Sequence, residues 1–296
     1  MWWLVRSESS VTEIRIATRR SSLALAQTRR VANLLTRHHP KVSIRLIGVE
    51  TAGDRDATGD ITSLTETGAF VSAVQEAVID ERADIAVHSL KDLPVDTPSE
   101  LVLAAFPERA SPLDVLVGSR LDQLPAGATV GTGSPRRSAQ LLELRPDLET
   151  VGLRGNVDTR IRKVSDGVVD GAVLAKAGLD RLGQSHRIAQ RFSPREMVPA
   201  PGQGALAVEA RGDSEAAHIV ASIDDPQLRP LLTAERELLS RTGAGCRSAL
   251  GALATWDRTL MRMDLFVANE GQARRGSVEG RDIDEVVSAA REELGL

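Results

Sequence analysis

The sequence predicts an α/β protein in which two doubly wound α/β domains surround a cleft and a small α+β domain follows them. Three observations support this prediction. Short apolar strands alternate with amphipathic helices from about residue 14 to residue 106, and the same alternation begins again near Pro112. After residue 249, three β-like segments follow one another without helices between them, which indicates a small antiparallel sheet.

The composition is that of a globular protein and argues against several other classes. The 296 residues are 42% hydrophobic and 26% charged, and no apolar run approaches the ~20 residues that would span a bilayer. The net charge of −4 gives no overall electrostatic reason to bind nucleic acid. The single cysteine and the lack of an N-terminal signal sequence predict a reducing, cytoplasmic location.

The first predicted domain is discontinuous and comprises residues 1–107 and 200–222. Between its strands and helices, residues 51–67 form a polar loop whose length is typical of an active-site lid. The Pro/Gly segment 199–204 leads into an apolar strand that can return to this domain. The predicted elements are strands at 14–17, 42–49, 85–88 and 101–106 and helices at 22–37, 70–78 and 214–222.

The second predicted domain, residues 108–199, has the same architecture without a detectable sequence repeat, and both sheets are expected to be mainly parallel. Its predicted strands are 113–117, 128–131, 150–153 and 171–174, with helices after the last three of them. The third predicted domain, residues 223–296, contains the only cysteine. Its predicted elements are helices at 228–241 and 283–294 and strands at 249–256, 260–267 and 273–278.

Polar and basic residues recur where the predicted strands of the first two domains end. In α/β sheets this edge binds ligands, close to helix N-termini. Each residue alone could be a solvated charge or a helix cap, but their succession predicts a cleft that binds a polyanion. The residues are Arg19, Ser21, His88, Ser89, Lys91, Asp92, Thr132, Ser134, Arg136, Arg137, Arg154, Asn156, Arg160 and Arg181.

The segment Gly-Thr-Gly-Ser-Pro-Arg-Arg at 131–137 has the features of an anion site. Its glycines admit a ligand close to the backbone, its hydroxyls can donate hydrogen bonds, and Pro135 suits the first turn of a helix. The Gly-Lys-Ser/Thr ending of a P-loop and the third glycine of a dinucleotide fingerprint are both missing. Arginine forks bind carboxylates as well as phosphates, so the pattern predicts an anion without identifying it.

Asp92 is the single acid among these basic groups. It is either a turn residue before Leu93-Pro94 or a carboxylate that stabilises a developing cation and transfers protons. His88 and Ser89 are neighbours on a strand and point to opposite faces, which argues against a catalytic pair. The other four histidines lack metal-ligand spacing, so no metal site is predicted.

Cys246 lies in a glycine-rich segment between a predicted helix and the C-terminal sheet. A lone thiol can be a small buried apolar group or a point of covalent attachment. Gly243 and Gly245 leave room for a ligand beside the sulfur, and the nearby Arg241 and Arg247 would favour the reactive thiolate. The segment alone does not decide between these two alternatives.

Together these segments resemble the porphobilinogen deaminase, or hydroxymethylbilane synthase, family. The matches run in the family's order from about residue 14 to the C-terminal domain. They are residues 16–25, 83–94, 130–137, 153–160, 177–183, 201–205 and 243–246. The resemblance implies two periplasmic-binding-protein-like domains around a cleft plus a small α+β domain with a three-stranded antiparallel sheet.

The resemblance implies a transferase of tetrapyrrole and heme biosynthesis. Such an enzyme joins four porphobilinogen molecules head to tail with loss of ammonia and releases linear hydroxymethylbilane by hydrolysis. Its primer would be a dipyrromethane cofactor held by a thioether on Cys246, and Asp92 would assist loss of the amino group. The expected protein is a monomer whose product passes to uroporphyrinogen-III synthase.

The resemblance also assigns binding residues within the predicted cleft. Those expected to bind the cofactor, besides Cys246, are Ser89, Lys91, Asp92, Thr132, Ser134, Arg136, Arg137, Arg154, Asn156 and Arg160. Those expected to bind substrate are Arg19, Ser21, Phe70, Arg154, Arg181 and Gln203.

The chain departs from the family's pattern around the predicted lid. Ala52 stands where the family has an arginine before Gly-Asp, and Thr67, Ser72 and Ala73 belong to a stretch that lacks the family's lysines. Two alternatives to an active deaminase therefore remain, namely a non-catalytic protein that binds a small anion and a deaminase that has lost turnover.

Overall fold

A computed structural model describes residues 12–49, 67–242, 249–269 and 272–296, without the side chains of residues 67–70. The strands are β1 Thr12–Arg19, β2 Val42–Val49, β3 Ile85–Ser89, β4 Leu101–Ala105, β5 Asp114–Gly118, β6 Thr129–Gly131, β7 Glu149–Val151, β8 Gly171–Ala175, β9 Ile188–Arg191, β10 Leu206–Arg211, β11 Leu250–Asp257, β12 Leu260–Asn269 and β13 Gln272–Gly280. The helices are α1 Ser22–His38, α2 Thr67–Ile79, α3 Pro135–Leu144, α4 Val157–Ser165, α5 Lys176–Arg181, α6 Glu215–Ala221, α7 Leu228–Arg241 and α8 Ile283–Leu294.

Three sheets organise the described part of the chain. The first has the strand order β2-β1-β3-β10-β4, and the second has the order β7-β6-β8-β5-β9. The third is the antiparallel sheet β11-β12-β13. The α/β fold class with two doubly wound sheets and a three-stranded C-terminal sheet is therefore confirmed.

The expectation of mainly parallel sheets is confirmed, since four of the five strands in each sheet run in one direction and one strand is reversed. β1 pairs in parallel with β2 and β3, but β10 lies antiparallel between β3 and β4. In the second sheet, β6 pairs in parallel with β7 and β8, whereas β5 lies antiparallel to β8 and β9. The antiparallel strands β5 and β10 are those that the chain enters from the other sheet, so no crossover helix sets their direction. Sequence reasoning also missed β9.

The two segments that connect the first and second sheets lie side by side. The amide of Leu206 donates to the carbonyl of Glu108, and the amide of Ala110 donates to the carbonyl of Gly204, both at 3.1 Å. Gly204 has a φ of +87°, and a side chain there would meet the Ala110 carbonyl oxygen. Only glycine allows this close approach. The two paired segments, called here the joint, hold the two sheets next to each other.

Separate hydrophobic cores hold the two α/β sheets. In the first, the alternating apolar residues of β1 and the buried face of α1 pack together, represented by Ile16 and Val31. In the second, Leu116 and Val130 of the sheet pack against Leu141 of α3. Each core anchors its strands, and hence the polar residues that follow the strand ends.

The third sheet packs its apolar face against α7 and α8. Leu238, Met263 and Val287 are buried together in this core. The predicted bounds of both helices are confirmed, β11 has the predicted length shifted by one residue, and β12 and β13 are longer than predicted by two and three residues. Among the described residues, no helix combines the length and the apolarity that crossing a membrane requires.

Candidate active site

The candidate site lies where four strands of the two α/β sheets end. β1 ends at Arg19, β3 at Ser89, β6 at Gly131 and β7 at Val151. Polar segments follow each of them, as the sequence predicts. Contacts between these segments connect the first sheet to the second and define one region with two walls.

The first wall is formed by a short 3-10 turn, Leu90–Asp92, directly after β3. Leu90 and Leu93 are buried and anchor the turn, while Asp92 is exposed. Ser89 accepts a hydrogen bond of 2.6 Å from Gln27 of α1. The turn thus presents the Asp92 carboxylate on a backbone that is fixed on both sides.

Lys91 is the cation of this wall and is largely enclosed. Its Nζ donates to Oε1 of Gln203 at 3.4 Å. Burial lowers the pKa of Lys91 to about 8, and the guanidinium groups of Arg136 and Arg137 act in the same direction. The carboxylates of Asp92 and Asp114 oppose this shift. Lys91 can therefore change charge within a mildly alkaline range.

The second wall begins with the hydroxyl-rich segment that follows β6. Ser134 is the N-cap of α3, and its hydroxyl accepts from the Arg137 amide at 3.4 Å. The Thr132 hydroxyl accepts from the Ser134 amide at 3.2 Å. Pro135 occupies the start of the helix, as predicted. This arrangement places Arg136 and Arg137 in the first helical turn, facing β5.

Both arginines are buried and share one buried carboxylate. Arg136 is 2% exposed, Arg137 is 5% exposed and Asp114, the first residue of β5, is 0% exposed. Asp114 Oδ2 lies 2.8 Å from Arg136 Nη1, and Asp114 Oδ1 lies 2.7 Å from Arg137 Nη2. Burial alone would raise the pKa of Asp114, but the two guanidinium groups outweigh it and hold that pKa well below its usual range.

The segment after β7 supplies the outer part of the second wall. Asn156 is the N-cap of α4 and accepts from the Thr159 amide at 2.8 Å. Arg154 is exposed, whereas Arg160 is partly buried and donates through Nε to the Gly155 carbonyl at 2.8 Å. Burial and the charge of Arg137 lower the pKa of Arg160, while Asp92 opposes them. Arg160 of the second sheet therefore lies within electrostatic reach of Asp92 of the first.

Three predicted substrate-binding residues, Arg19, Ser21 and Arg181, lie at the end of β1, at the start of α1 and in α5. Ser21 caps α1 and accepts from the Ala24 amide at 3.3 Å, and Arg19 is half-buried at the end of β1. Arg181 of α5 donates to the Gly204 carbonyl at 2.7 Å. It also lies 3.7 Å from the Glu108 carboxylate. Arg181 is thus held at the connection between the sheets.

Gln203 is completely buried between the two walls. Its Nε2 donates to the Pro112 carbonyl at 2.6 Å and to Asp114 Oδ1 at 2.9 Å. Its Oε1 accepts from Lys91 and Arg137, both at 3.4 Å. Direct contact between Gln203 and substrate stays a prediction, but its amide clearly connects the cations of the two walls.

Several predicted features lie outside the described residues. These include Cys246 with its neighbours Gly243, Gly245 and Arg247, most of the predicted lid at 51–67, and the side chain of Phe70. Arg241, which was expected to favour the thiolate, is the last residue of α7. Its guanidinium pairs with Glu237 at 2.8 Å and with Asp284 at 2.7 Å.

Sequence reasoning missed Asp114 and Glu209. Asp114 is an acid at the start of an apolar strand, and this was the available signal that it is buried with a partner. Glu209 is fully buried in β10, where its Oε2 lies 3.0 Å from His88 Nε2 and Gln75 of α2 donates to it. His88, on the face of β3 away from Ser89, is therefore a buried partner of Glu209.

The arrangement can bind several carboxylates next to one exposed acid. The bound anion would meet Lys91 on one wall and arginines on the other, while Asp92 remains accessible to a reacting group. A carboxylate in such surroundings can stabilise a developing positive charge and accept or return a proton. The described residues contain no group of three or more His, Cys, Asp or Glu side chains that could hold a metal ion.

Comparisons with known proteins agree with this description. The family model "Porphobilinogen deaminase, dipyromethane cofactor binding domain" matches residues 14–218. Porphobilinogen deaminase from Acidothermus cellulolyticus is 45% identical over 88% of this chain and 81% of its own length. The Roseiflexus castenholzii enzyme of that name is 44% identical over 94% of each chain, and the one from Thermus thermophilus is 44% identical over 95% of this chain and 92% of its own length.

A solved structure, the substrate-binding domain of a putative molybdenum transporter from Clostridium difficile, resembles this chain more distantly. The TM-score is 0.44 at 10% identity, and the match covers 76% of this chain and 96% of that chain. At that TM-score the similarity has no bearing on function.

Proposed function

Because the chain belongs to the porphobilinogen deaminase family, we propose that it is a hydroxymethylbilane synthase. It joins four porphobilinogen molecules head to tail with loss of ammonia and then releases linear hydroxymethylbilane by hydrolysis. The chain extends from a dipyrromethane primer, and the product serves tetrapyrrole biosynthesis.

The observation that carries this function is the convergence of cations from two sheets around one exposed acid. Lys91 comes from the first sheet, and Arg136, Arg137 and Arg160 come from the second. The substrate carries two carboxylates on each pyrrole, and a growing chain carries many more. A cleft with cations on both walls matches that charge, whereas a single small anion would need fewer of them.

The described residues fit a bound dipyrromethane with its four carboxylates. Nε of Arg136 is buried and has no hydrogen-bond partner among the described residues, so it is a donor available to an anionic ligand. When bound, the dipyrromethane supplies the pyrrole carbon to which the first substrate is joined. The residues that would hold it are Ser89, Lys91, Asp92, Thr132, Ser134, Arg136, Arg137, Arg154, Asn156 and Arg160.

Substrate binding is proposed at the neighbouring positions along the joint. Arg19 and Arg181 would bind the carboxylates of the incoming molecule, and Ser21 would donate from the start of α1. Arg154, Phe70 and Gln203 complete this set. Binding by this set would bring the incoming molecule next to Asp92.

Asp92 is the proposed catalytic residue. In its protonated form its exposed side chain would donate a proton to the leaving amino group, and the carboxylate so formed would stabilise the positive charge that develops as ammonia departs. The positively charged side chains of Lys91 and Arg160 lie within electrostatic reach of it. The acid therefore combines accessibility to substrate with a cationic environment.

We further propose that Cys246 holds the primer through a thioether, since it is the only thiol in the chain. The enzyme would act as a monomer of three domains, with residues 1–107 and 200–222, 108–199 and 223–296 as the units. Its linear product would pass to uroporphyrinogen-III synthase.

The intact mass of the purified full-length chain tests this function. In a host that makes porphobilinogen, the measured mass should exceed the sequence mass by one dipyrromethane, and Cys246→Ser should remove the excess. Ser248→Ala, two residues away, is the matched control and should retain it. A folded wild-type chain of unmodified mass that consumes no porphobilinogen would indicate an anion-binding protein, and a modified chain without turnover would indicate a degenerate deaminase.

A further inference from the structure

We propose that Asp114 is a positioning residue that orients Arg136, Arg137 and Gln203 as one unit and balances the charge around Lys91. Asp114, Arg136, Arg137 and Gln203 are called here the Asp114 cluster. The inference rests on the proposed function only in assigning the cluster to primer binding. The geometry of the cluster stands independently of that assignment.

Three side chains contact the buried carboxylate of Asp114. Oδ1 accepts from Arg137 Nε and from Gln203 Nε2, each at 2.9 Å, and lies 2.7 Å from Arg137 Nη2. Oδ2 lies 2.8 Å from Arg136 Nη1. The two guanidinium groups balance the charge of this fully buried carboxylate, although Oδ2 has the ion pair with Arg136 and no hydrogen bond among the described residues.

Further contacts fix the two arginines with respect to the protein backbone. Arg136 Nη1 donates to the Val198 carbonyl at 2.6 Å, and Arg137 Nη1 donates to the Val173 carbonyl at 3.1 Å. Each guanidinium is therefore held between a carbonyl group and Asp114. Without the Asp114 carboxylate, each guanidinium group would keep its hydrogen bond to a backbone carbonyl but lose the partner on its other side. One such bond does not fix the orientation of the guanidinium plane.

The cluster spans both connecting segments between the sheets. Gln203 belongs to the second segment and donates to the Pro112 carbonyl of the first at 2.6 Å. Asp114 follows Pro112 by two residues, and Val198 precedes the second segment. Through Gln203, the cluster also reaches Lys91 on the opposite wall. Asp114 therefore contacts Arg136 and Arg137 on one wall directly and is linked to Lys91 on the other wall through Gln203.

Charge balance gives Asp114 a second effect. The carboxylate and the two guanidinium groups carry one net positive charge, and Asp114→Asn would raise this to two. The charged groups around Lys91 are Asp92, Asp114, Arg136 and Arg137, and Asp114 is one of the two that raise its pKa. Removal of that charge should therefore lower the pKa of Lys91 below about 8. A residue that merely filled space would not move this pKa.

The chain is well suited to a direct measurement because it contains only four lysines, Lys41, Lys91, Lys163 and Lys176. With lysine labelled with carbon-13 beside the amine, four resonances can be titrated by NMR and Lys91 assigned by Lys91→Arg. The titrations should use the full-length chain both as purified and with Cys246→Ser, because in the second form no variant carries the primer. In both forms, Asp114→Asn should move the Lys91 midpoint to lower pH.

Asp84→Asn is the matched control. It also removes a carboxylate that holds an arginine, Arg15 at 2.7 Å, but at the opposite end of β3. This control should leave the Lys91 midpoint and the primer adduct unchanged, whereas Asp114→Asn should reduce the fraction of molecules that carry the adduct. An unchanged Lys91 midpoint in folded Asp114→Asn would overturn the proposal, as would an equal shift in Asp84→Asn.

A second comparison applies if Asp114→Asn does not fold. Arg136→Met removes one buried cation, and its double variant with Asp114→Asn keeps the net charge of the wild-type cluster. The Lys91 midpoint should rise in Arg136→Met and fall again in the double variant. Equal midpoints in these two variants would refute the role of Asp114. An absent adduct in the wild type would count against the proposed function alone, because the lysine titration does not depend on the adduct.

Discussion

The two walls of the cleft use charge in different ways. On the first wall, Asp92 is exposed on a 3-10 turn and its neighbour Lys91 is the only enclosed cation of that turn. On the second wall, Arg136 and Arg137 are buried and already paired with Asp114. The first wall therefore offers a carboxylate that a substrate can reach, and the second offers guanidinium groups whose orientation is set in advance.

This difference separates chemistry from binding. An exposed acid can approach a reacting group and exchange protons with it, but its position depends on the turn that carries it. Buried, paired arginines cannot adapt, yet they lose little entropy when an anion binds because their side chains are already ordered. Variants on the two walls should consequently affect different quantities, and the following predictions test that separation.

The largest effect is expected for the exposed acid. Asp92→Asn should reduce kcat by roughly 10²–10⁴ because it removes proton transfer and the stabilising negative charge. The intact mass should still include the primer, since the cations of the second wall remain. Asp96→Asn, an exposed acid in the same loop, is the control and should retain wild-type kcat. Near-normal turnover of Asp92→Asn would contradict the assignment of the chemical step to the first wall and of binding to the second.

The next effect contrasts a buried arginine with an exposed one. Arg137→Met should lower the free energy of unfolding by about 3 kcal/mol, because Asp114 would lose one of its two buried cations. Arg154→Ala, at an exposed position, should change it by less than about 0.5 kcal/mol. Both variants should bind the primer less well. Chemical denaturation and intact mass measure the two quantities, and equal stability losses would contradict the contrast.

The sequence predicted the first wall better than the second. Strand alternation and the segment at 83–94 located Asp92 and Lys91, because local patterns place residues that directly follow a strand. The burial of Arg136 and Arg137 was not predictable, because it depends on a partner that is distant in sequence. That partner, Asp114, is 23 residues away from Arg137 and belongs to β5 of the second sheet. The reversed direction of β10 and β5 was missed for a similar reason, because long-range connections place these two strands. Propensity and periodicity carry no information about such contacts.

The final prediction concerns Lys91, which connects the two walls. Its pKa in the folded chain is lowered to about 8 from an ordinary value of 10.5, first of all by burial. Protonated Lys91 can bind a carboxylate, so kcat/KM should fall as the pH rises through about 8. Lys91→Arg keeps its charge throughout this range and should lose that part of the profile. Lys41→Met, at an exposed position, should leave it unchanged.

Stability should respond to the same titration with the opposite sign. Between pH 8 and pH 10.5 the unfolded chain binds more protons at this site than the folded chain, so the contribution of Lys91 to stability rises with pH. Below pH 8 both states are protonated and the full cost of the buried charge is present. Unfolding of Cys246→Ser followed across this range should show the rise, and Lys91→Met should abolish it. A stability that fell with pH through Lys91 would mean that this cation is paired rather than merely enclosed, and the first wall would then resemble the second.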